Sequence, residues 1–340
     1  MNFKQVNIAS LFNKLNQHEK FETYRALWHE ASEYNILTNF PLHLDIELSG
    51  GCNLKCASCF QNGLIDGKLG LMDIDLYKNI IDEGLKNGLC AIKLQVRGES
   101  FLHPNLFECI SYAKEKGILD VQITTNGTLL NKENIQKILD SSLDAIIFSV
   151  DSHHEDSCKL KQYLKNYSLV EQSIKTLLEN REKHFKSKPW VRLRSSITTC
   201  DPQSFNKSKQ YLKTKFPKAD VYIVGKIHDF RDNEDSYPGL HTNYHLSKCS
   251  YLMQRLAIFW NGDVTTCCMD YNNKFQLGNV TSQNIEEIWL SSKMNTFRNI
   301  HHENRRKTMA ICKHCHACTE IKTDTEIQDN STRHFMDIAQ

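Results

Sequence analysis

The chain has 340 residues, 40% of them hydrophobic, enough to bury a sizeable core as one large domain or a large domain with a small one. Lys+Arg of 42 against Asp+Glu of 40 leaves a formal net charge of +2, so no basic stripe argues for a nucleic-acid partner. No window approaches the roughly 18 apolar residues of a membrane span. The opening Met1-Asn2-Phe3-Lys4-Gln5 has no apolar signal core, so the expectation is a soluble, cytoplasmic protein without a membrane partner.

Residues 1–42 carry Leu11, Leu15, Phe21, Tyr24, Leu27 and Trp28 among polar residues, the spacing of one or two amphipathic helices, and are expected to form an N-terminal helical cap. From residue 43 the pattern alternates strand and helix. Strands are expected at 43–48, 91–96, 121–125, 145–150, 191–198 and 221–225, with helical spacings between them such as Leu106, Ile110 and Ala113, or Val170, Ile174 and Leu177. Six strand–helix repeats over 43–228 imply an α/β fold, a parallel sheet with right-handed crossovers and helices on one outer face. Periodicity alone leaves a partial barrel and an open doubly wound sheet both standing.

In parallel α/β folds the chemistry sits at the carboxyl ends of strands. After the first strand stands Gly51-Cys52-Asn53-Leu54-Lys55-Cys56-Ala57-Ser58-Cys59-Phe60, three cysteines spaced C-x3-C-x2-C. Three thiolates on one loop can hold three irons of a 4Fe-4S cube and leave the fourth iron open to a ligand. The alternative is a zinc knuckle closed by a fourth Cys or His, for which His43 is the nearest candidate. After the second strand comes Arg97-Gly98-Glu99-Ser100, after the third Thr124-Thr125-Asn126-Gly127-Thr128, and after the fourth Phe148-Ser149-Val150-Asp151-Ser152. Asn126-Gly127 is also a common turn dipeptide, and Asp151 is equally a helix cap. Arg192 and Arg194 alternate with Val191 and Leu193, so both arginines share one face of the fifth strand.

Thirteen cysteines are many for a chain of this kind, and they cluster: three between 52 and 59, six between 249 and 318. Clustering without a secretory signal points to metal before disulfide. Residues 229–244 lack apolar period and read as a linker. Beyond it, within 245–322, stand Cys249, Gly262, Cys267-Cys268, Leu277-Gly278-Asn279-Val280, a helix start at Ile285 to Trp289, and Cys312-Lys313-His314-Cys315-His316-Ala317-Cys318, with 323–340 left as a tail. A hairpin near 258–264 would bring the first of these cysteines together. A treble-clef zinc site is the alternative.

The cysteine loop and the three strand-end segments together resemble the radical S-adenosylmethionine (SAM) enzymes. That resemblance implies a partial (β/α)6 TIM-like barrel in which Cys52, Cys56 and Cys59 hold the SAM-binding 4Fe-4S cluster and its open iron chelates SAM. It implies reductive cleavage of SAM to a 5'-deoxyadenosyl radical, hydrogen abstraction from unactivated carbon, and a reductant such as flavodoxin or ferredoxin. It also implies cofactor contacts from Gly98, Glu99 and Ser100, from Thr125 and Asn126, from Ser149, and from Arg194 as a partner of the SAM carboxylate. The family's usual aromatic residue before the third cysteine is Ser58 here, and Phe60 is expected to pack on the adenine in its place.

The second group resembles the SPASM/Twitch extension, which implies a small C-terminal cysteine-rich domain with one auxiliary 4Fe-4S cluster on Cys249, Cys267, Cys312 and Cys315. Cys318 could replace Cys312 or Cys315, and Cys268 could replace Cys267. A filled four-cysteine cluster suits electron transfer, hence dehydrogenation of a small polar substrate such as a sugar or cyclitol. Asp270 is then a candidate proton acceptor, or an ordinary surface carboxylate, and Cys268 a candidate hydrogen donor for epimerisation, or a buried structural thiol. The alternative is modification of a peptide or protein, as in ribosomal-peptide maturases or sulfatase-maturing oxidation. The short N-terminal segment argues against a peptide-recognition domain.

Overall fold

The computed structural model describes residues 3–56, 59–64, 69–150, 161–184, 186–197, 202–226, 248–313 and 315. The N-terminal segment combines helices α1 (Ile8–Phe12) and α2 (Gln17–Ser32) with two strands, β1 (Lys4–Val6) and β2 (Ile36–Thr38), which pair in parallel. The two strands are absent from the helical expectation, because a three-residue strand carries no readable period. Asn16 and Glu19 cap the start of α2 reciprocally, and the helix buries Tyr24, Leu27 and Ala31.

All six expected strands are present: β3 (His43–Ile46), β4 (Ala91–Lys93), β5 (Asp120–Thr125), β6 (Ala145–Ser149), β7 (Trp190–Ile197) and β8 (Val221–Lys226). Each is parallel to the next in sequence order, the topology of a partial (β/α)6 barrel. Helices α3 (Ile74–Lys86), α4 (Leu106–Lys116), α5 (Lys132–Asp140), α6 (Lys161–Lys183) and α7 (Pro202–Lys215) form the crossovers. Local chemistry sets their ends. Asp73 accepts from Asp75 N–H and Leu76 N–H to start α3, and Gly117, at φ 109°, closes α4 in the left-handed conformation.

The strand register divides the sheet into two faces. Leu44, Ile92 and Val121 stand side by side, as do Ile123, Ile146 and Val191 two residues further along β5, and both rows join the buried core with Ile81, Ile110 and Ile138 of the helices. One residue along, Asp45, Lys93 and Gln122 stand side by side on the other face, and Arg192 lies on it too. A polar face turned away from the helices is the lining of the barrel.

The C-terminal part comprises α8 (Tyr251–Gln254), β9 (Arg255–Ile258), β10 (Asp263–Thr265), β11 (Gly278–Asn279), α9 (Ile285–Trp289), α10 (Ser292–His302) and α11 (Ala310–Lys313). The expected hairpin is β9–β10, turning at Gly262 with φ 85°. Its placement is a finding of the structure: β9 pairs in parallel with β3, so the cysteine-rich part extends the barrel sheet to nine strands. The N-terminal segment fastens to the same part through Trp289 Nε1–H to the Thr38 carbonyl (2.7 Å) and Gln254 Nε2–H to the Trp28 carbonyl (2.8 Å). The expected linker 229–244, the tail 323–340, Ser58, Asp151, Ser152 and Cys318 lie outside the described residues.

Candidate active site and metal centres

The loops after β3, β4 and β5 are knitted into one platform by Glu99. Its N–H donates to the Gly51 carbonyl (2.8 Å), while its carboxylate accepts from Thr125 Oγ1 (2.8 Å) and Asn126 N–H (2.8 Å). Burial pushes the Glu99 carboxyl above its ordinary range despite these donors. Gly98 makes the approach possible: a Cβ there would stand 2.1 Å from the Ser49 carbonyl oxygen and 2.2 Å from that of Gly51. Ser100 Oγ–H donates to the Leu94 carbonyl (2.6 Å) and is buried. The side chains of Glu99, Ser100 and Thr125 are thus committed to the platform, and what they leave for a ligand at this end is main chain. Asn126 is different: it donates to Asn53 Oδ1 (2.9 Å) and toward Cys52 Sγ (3.7 Å) beside the cysteine loop.

Cys52, Cys56 and Cys59 are partly accessible on that loop, with Cys59 N–H donating to the Cys56 carbonyl (3.0 Å). Burial pushes the thiols of Cys52 and Cys59 up, so a metal that deprotonates them replaces an unfavourable isolated thiolate. Ser149, at the carboxyl end of β6, and Arg194, midway along β7, are register partners, both exposed. His43 is bound by Asp45 (3.1 Å) at the far end of β3 from the cysteine loop, and burial lowers its pKa to about 4. It is therefore a neutral barrel residue, and the zinc knuckle loses the ligand expected of it.

Phe60 departs from expectation. Its ring stacks on Tyr271 of the C-terminal part, centroids 5.3 Å apart at 29°, a protein partner that the expected adenine contact did not include. Arg97, at the head of the Arg97-Gly98-Glu99-Ser100 segment, forms a two-pronged ion pair with the buried Glu47, with Nε–H to Oε1 and Nη2–H to Oε2 each 2.7 Å. Glu47, Arg97 and Tyr271 were not legible as site residues. Only Arg97 carried a signal, as the residue directly before the cofactor-contact segment Gly98-Glu99-Ser100.

The second group of cysteines is assembled from separate segments. Tyr34 O–H donates to the Cys249 carbonyl (2.8 Å), and Cys249 N–H donates to His301 Nδ1 (3.3 Å). Cys267 and Cys268 follow β10, while Cys312 and Cys315 close a turn at the end of α11, where Arg306 Nη2–H meets the Cys315 carbonyl (2.8 Å). Burial first, and then the nearby thiols of Cys268, Cys315 and Cys312, push the Cys267 thiol far up, so these sulfurs lie close enough to repel as anions. Cys268 packs against Val96, Ala257 and Phe259 on the barrel side.

Asp270 is neither an open base nor a surface carboxylate. It is 1% exposed and accepts from Thr265 Oγ1 (2.5 Å), Lys274 N–H (2.8 Å) and Phe275 N–H (2.8 Å). It organises the loop after Cys268, which explains a short polar residue there better than proton transfer does.

Both donor sets fit iron–sulfur ligation. A zinc ion at about 2.3 Å from each sulfur draws its ligands within about 4 Å of one another, and among the described residues no three His, Cys, Asp or Glu side chains converge for a single ion. A cluster spreads its thiolates around a larger body. At the second group, His301 Nδ1 is an acceptor, so Nε2 carries the proton, and that buried N–H meets no acceptor among the described residues.

The Radical SAM superfamily matches residues 46–193, and SPASM, an iron-sulfur cluster-binding domain, matches 249–316. The chain belongs to the radical SAM superfamily. It is a radical SAM enzyme with a C-terminal SPASM-type domain, and its cofactors are 4Fe-4S clusters with SAM as cosubstrate. A tungsten-containing aldehyde ferredoxin oxidoreductase cofactor-modifying protein of Pyrococcus furiosus is 24% identical, over 83% of this chain and 90% of that one. The antilisterial bacteriocin subtilosin biosynthesis protein AlbA of Bacillus subtilis is 35% identical over 32% of this chain, a match spanning 25% of its own length. Among solved structures, BtrN in complex with AdoMet and 2-DOIA shares the fold at TM-score 0.53 and 18% identity, covering 82% of this chain and 93% of that one. No helix among the described residues is long and apolar enough to cross a membrane.

Proposed function

We propose that this radical SAM enzyme removes hydrogen from a small polar substrate, a sugar, cyclitol or similar molecule held in the barrel, and completes a dehydrogenation or an epimerisation in the cytoplasm. The observation that carries the reading is the polar barrel lining. Lys93 reaches Asp45 (2.9 Å) there, on the face that also bears Gln122 and Arg192, an environment that matches hydroxyl, amine or phosphate groups of a compact ligand. A cofactor-modifying relative similar along nearly its whole length supports a small-molecule substrate.

Cys52, Cys56 and Cys59 hold the SAM-side cluster, and Cys249, Cys267, Cys312 and Cys315 the auxiliary one. When bound, these cofactors supply a 5'-deoxyadenosyl radical for hydrogen abstraction and an acceptor for the electron left behind. The chain's own groups orient the reactants: Asn126, Ser149 and Arg194 face the SAM side, Arg194 as the counter-charge of a carboxylate. In a dehydrogenation the carbon loses a hydrogen atom, its hydroxyl loses a proton, and one electron departs, so an alcohol becomes a ketone. In an epimerisation Cys268 Sγ–H returns a hydrogen atom to the opposite face of the same carbon, and the thiyl radical left on Cys268 takes one electron, supplied by the reductant, and one proton to become a thiol again. A reductant such as flavodoxin or ferredoxin serves either outcome.

Anaerobically reconstituted protein incubated with deuterated polyols and SAM tests this. Deuterium carried into 5'-deoxyadenosine together with a ketone or an inverted centre is the expected result; turnover of peptides alone would overturn it. If Cys268→Ala leaves an inverted product unchanged, the epimerase branch falls. Peptide modification is the second reading, favoured by the 35% identity to the bacteriocin biosynthesis protein over 116 residues.

A further inference from the structure

We infer that the SPASM-type part clamps the SAM-cluster loop, with Tyr271 and Arg97 as the positioning residues of the clamp. Glu47, at the carboxyl end of β3 and fully buried, is its fixed point. Arg97 grips both Glu47 oxygens and adds its own N–H to Oε1 (3.1 Å), while Trp260 N–H, from the β9–β10 turn, reaches Oε2 (3.2 Å). The third edge of the same guanidinium donates to the Tyr271 carbonyl (3.0 Å), and its face covers Phe259 at 4.0 Å. One arginine therefore joins the end of β3, the SAM-side platform and two loops of the C-terminal part.

The cysteine loop is caught in the same grip. The Tyr271 ring stacks on Phe60, the residue after Cys59. Gln61 then spans back, its Nε2–H reaching the carbonyls of Gly50 (3.1 Å) and Arg97 (3.4 Å). Trp260 presses on the backbone to either side of the loop: a Cβ at Gly70, downstream of it, would meet the ring at 2.5 Å, and one at Gly50, just before it, at 2.9 Å. Tyr271 follows shortly after Cys267 and Cys268, so a single stack links the residue beside one cluster's ligand to the segment carrying the other's. Packed contacts of this kind transmit position because neither side can relax alone. The order of the SAM-cluster loop then depends on the C-terminal part being in place, before any metal is bound. This goes beyond the proposed reaction and holds whichever substrate the enzyme takes.

Hydrogen–deuterium exchange on the full chain, metal-free and reduced, tests it without turnover. Tyr271→Ala should speed exchange in peptides carrying Cys52 and Phe60 by about tenfold, while Tyr271→Phe, which keeps the ring, should match the wild type. Phe60→Leu should loosen peptides carrying Cys267 and Tyr271 by a similar factor, the reciprocal effect. On reconstituted protein, a chelator should strip iron from Tyr271→Ala about tenfold faster, although every cysteine is intact. Arg97→Gln should loosen both loops; if it fails to fold, the Tyr271 and Phe60 variants decide alone. Unchanged exchange around Cys52 and Phe60 in Tyr271→Ala, with exchange in α3 and α4 at wild-type rates, overturns the clamp.

Discussion

The two cysteine sites reach the same chemistry by opposite routes. Cys52, Cys56 and Cys59 sit on one loop at the end of one strand, and their supports, Glu99 and Asn126, come from the next two strand ends. Cys249, Cys267, Cys312 and Cys315 come from separated segments, and their supports, Tyr34, His301 and Arg306, come from an N-terminal turn, a helix and a short helical turn distant in sequence. The first site is specified by local order, the second by the whole C-terminal packing. A local site should therefore fail by losing a ligand, and a dispersed one by losing its surroundings.

The sharpest break is Cys52→Ala against Cys312→Ala. The first should abolish release of 5'-deoxyadenosine, whereas the second should leave SAM cleavage measurable and remove oxidised product, both read by chromatography of anaerobic reactions. Next is Glu47→Ala, which leaves the Arg97 guanidinium uncompensated between the two sites. It should cost about 3–5 kcal/mol in denaturant unfolding of the metal-free chain.

A pH test follows in size. Burial lowers the His43 pKa from 6.5 to about 4, so the unfolded chain binds the extra proton between those values. Stability from keeping His43 neutral is present above pH 6.5 and is lost as pH falls toward 4, by about 2–3 kcal/mol, and His43→Gln should flatten that slope in urea midpoints. The smallest effect sharpens the dispersed site. His301→Leu removes the ring nitrogen that accepts from Cys249 N–H and should weaken auxiliary iron retention about tenfold, while His301→Gln, which keeps a polar acceptor, should lose less. Equal retention in both variants would leave the buried nitrogen without a role at the cluster.

What could be read in advance follows the same division. The six barrel strands and the cysteine loop were legible because their patterns are local: runs of Val and Ile between helical spacings, then three cysteines within eight positions. The parallel pairing of β9 with β3 was not, since nothing in Arg255–Ile258 distinguishes an independent hairpin from a strand that completes another sheet. Side-chain commitments were equally hidden. Asp270 had the residue type of a base, but three donors close at hand use its oxygens. Phe60 stood where an adenine-stacking ring is wanted, and a tyrosine far along the chain stacks on one of its faces. Arg97 stood only as the neighbour of Gly98 and proves to be the guanidinium that joins the two sites.

The most direct test of the account is the metal content and SAM chemistry of one anaerobic preparation. Reconstituted protein with dithionite and SAM should hold about eight irons per chain and release 5'-deoxyadenosine. Zinc in place of iron, with no 5'-deoxyadenosine formed under those conditions, would contradict it.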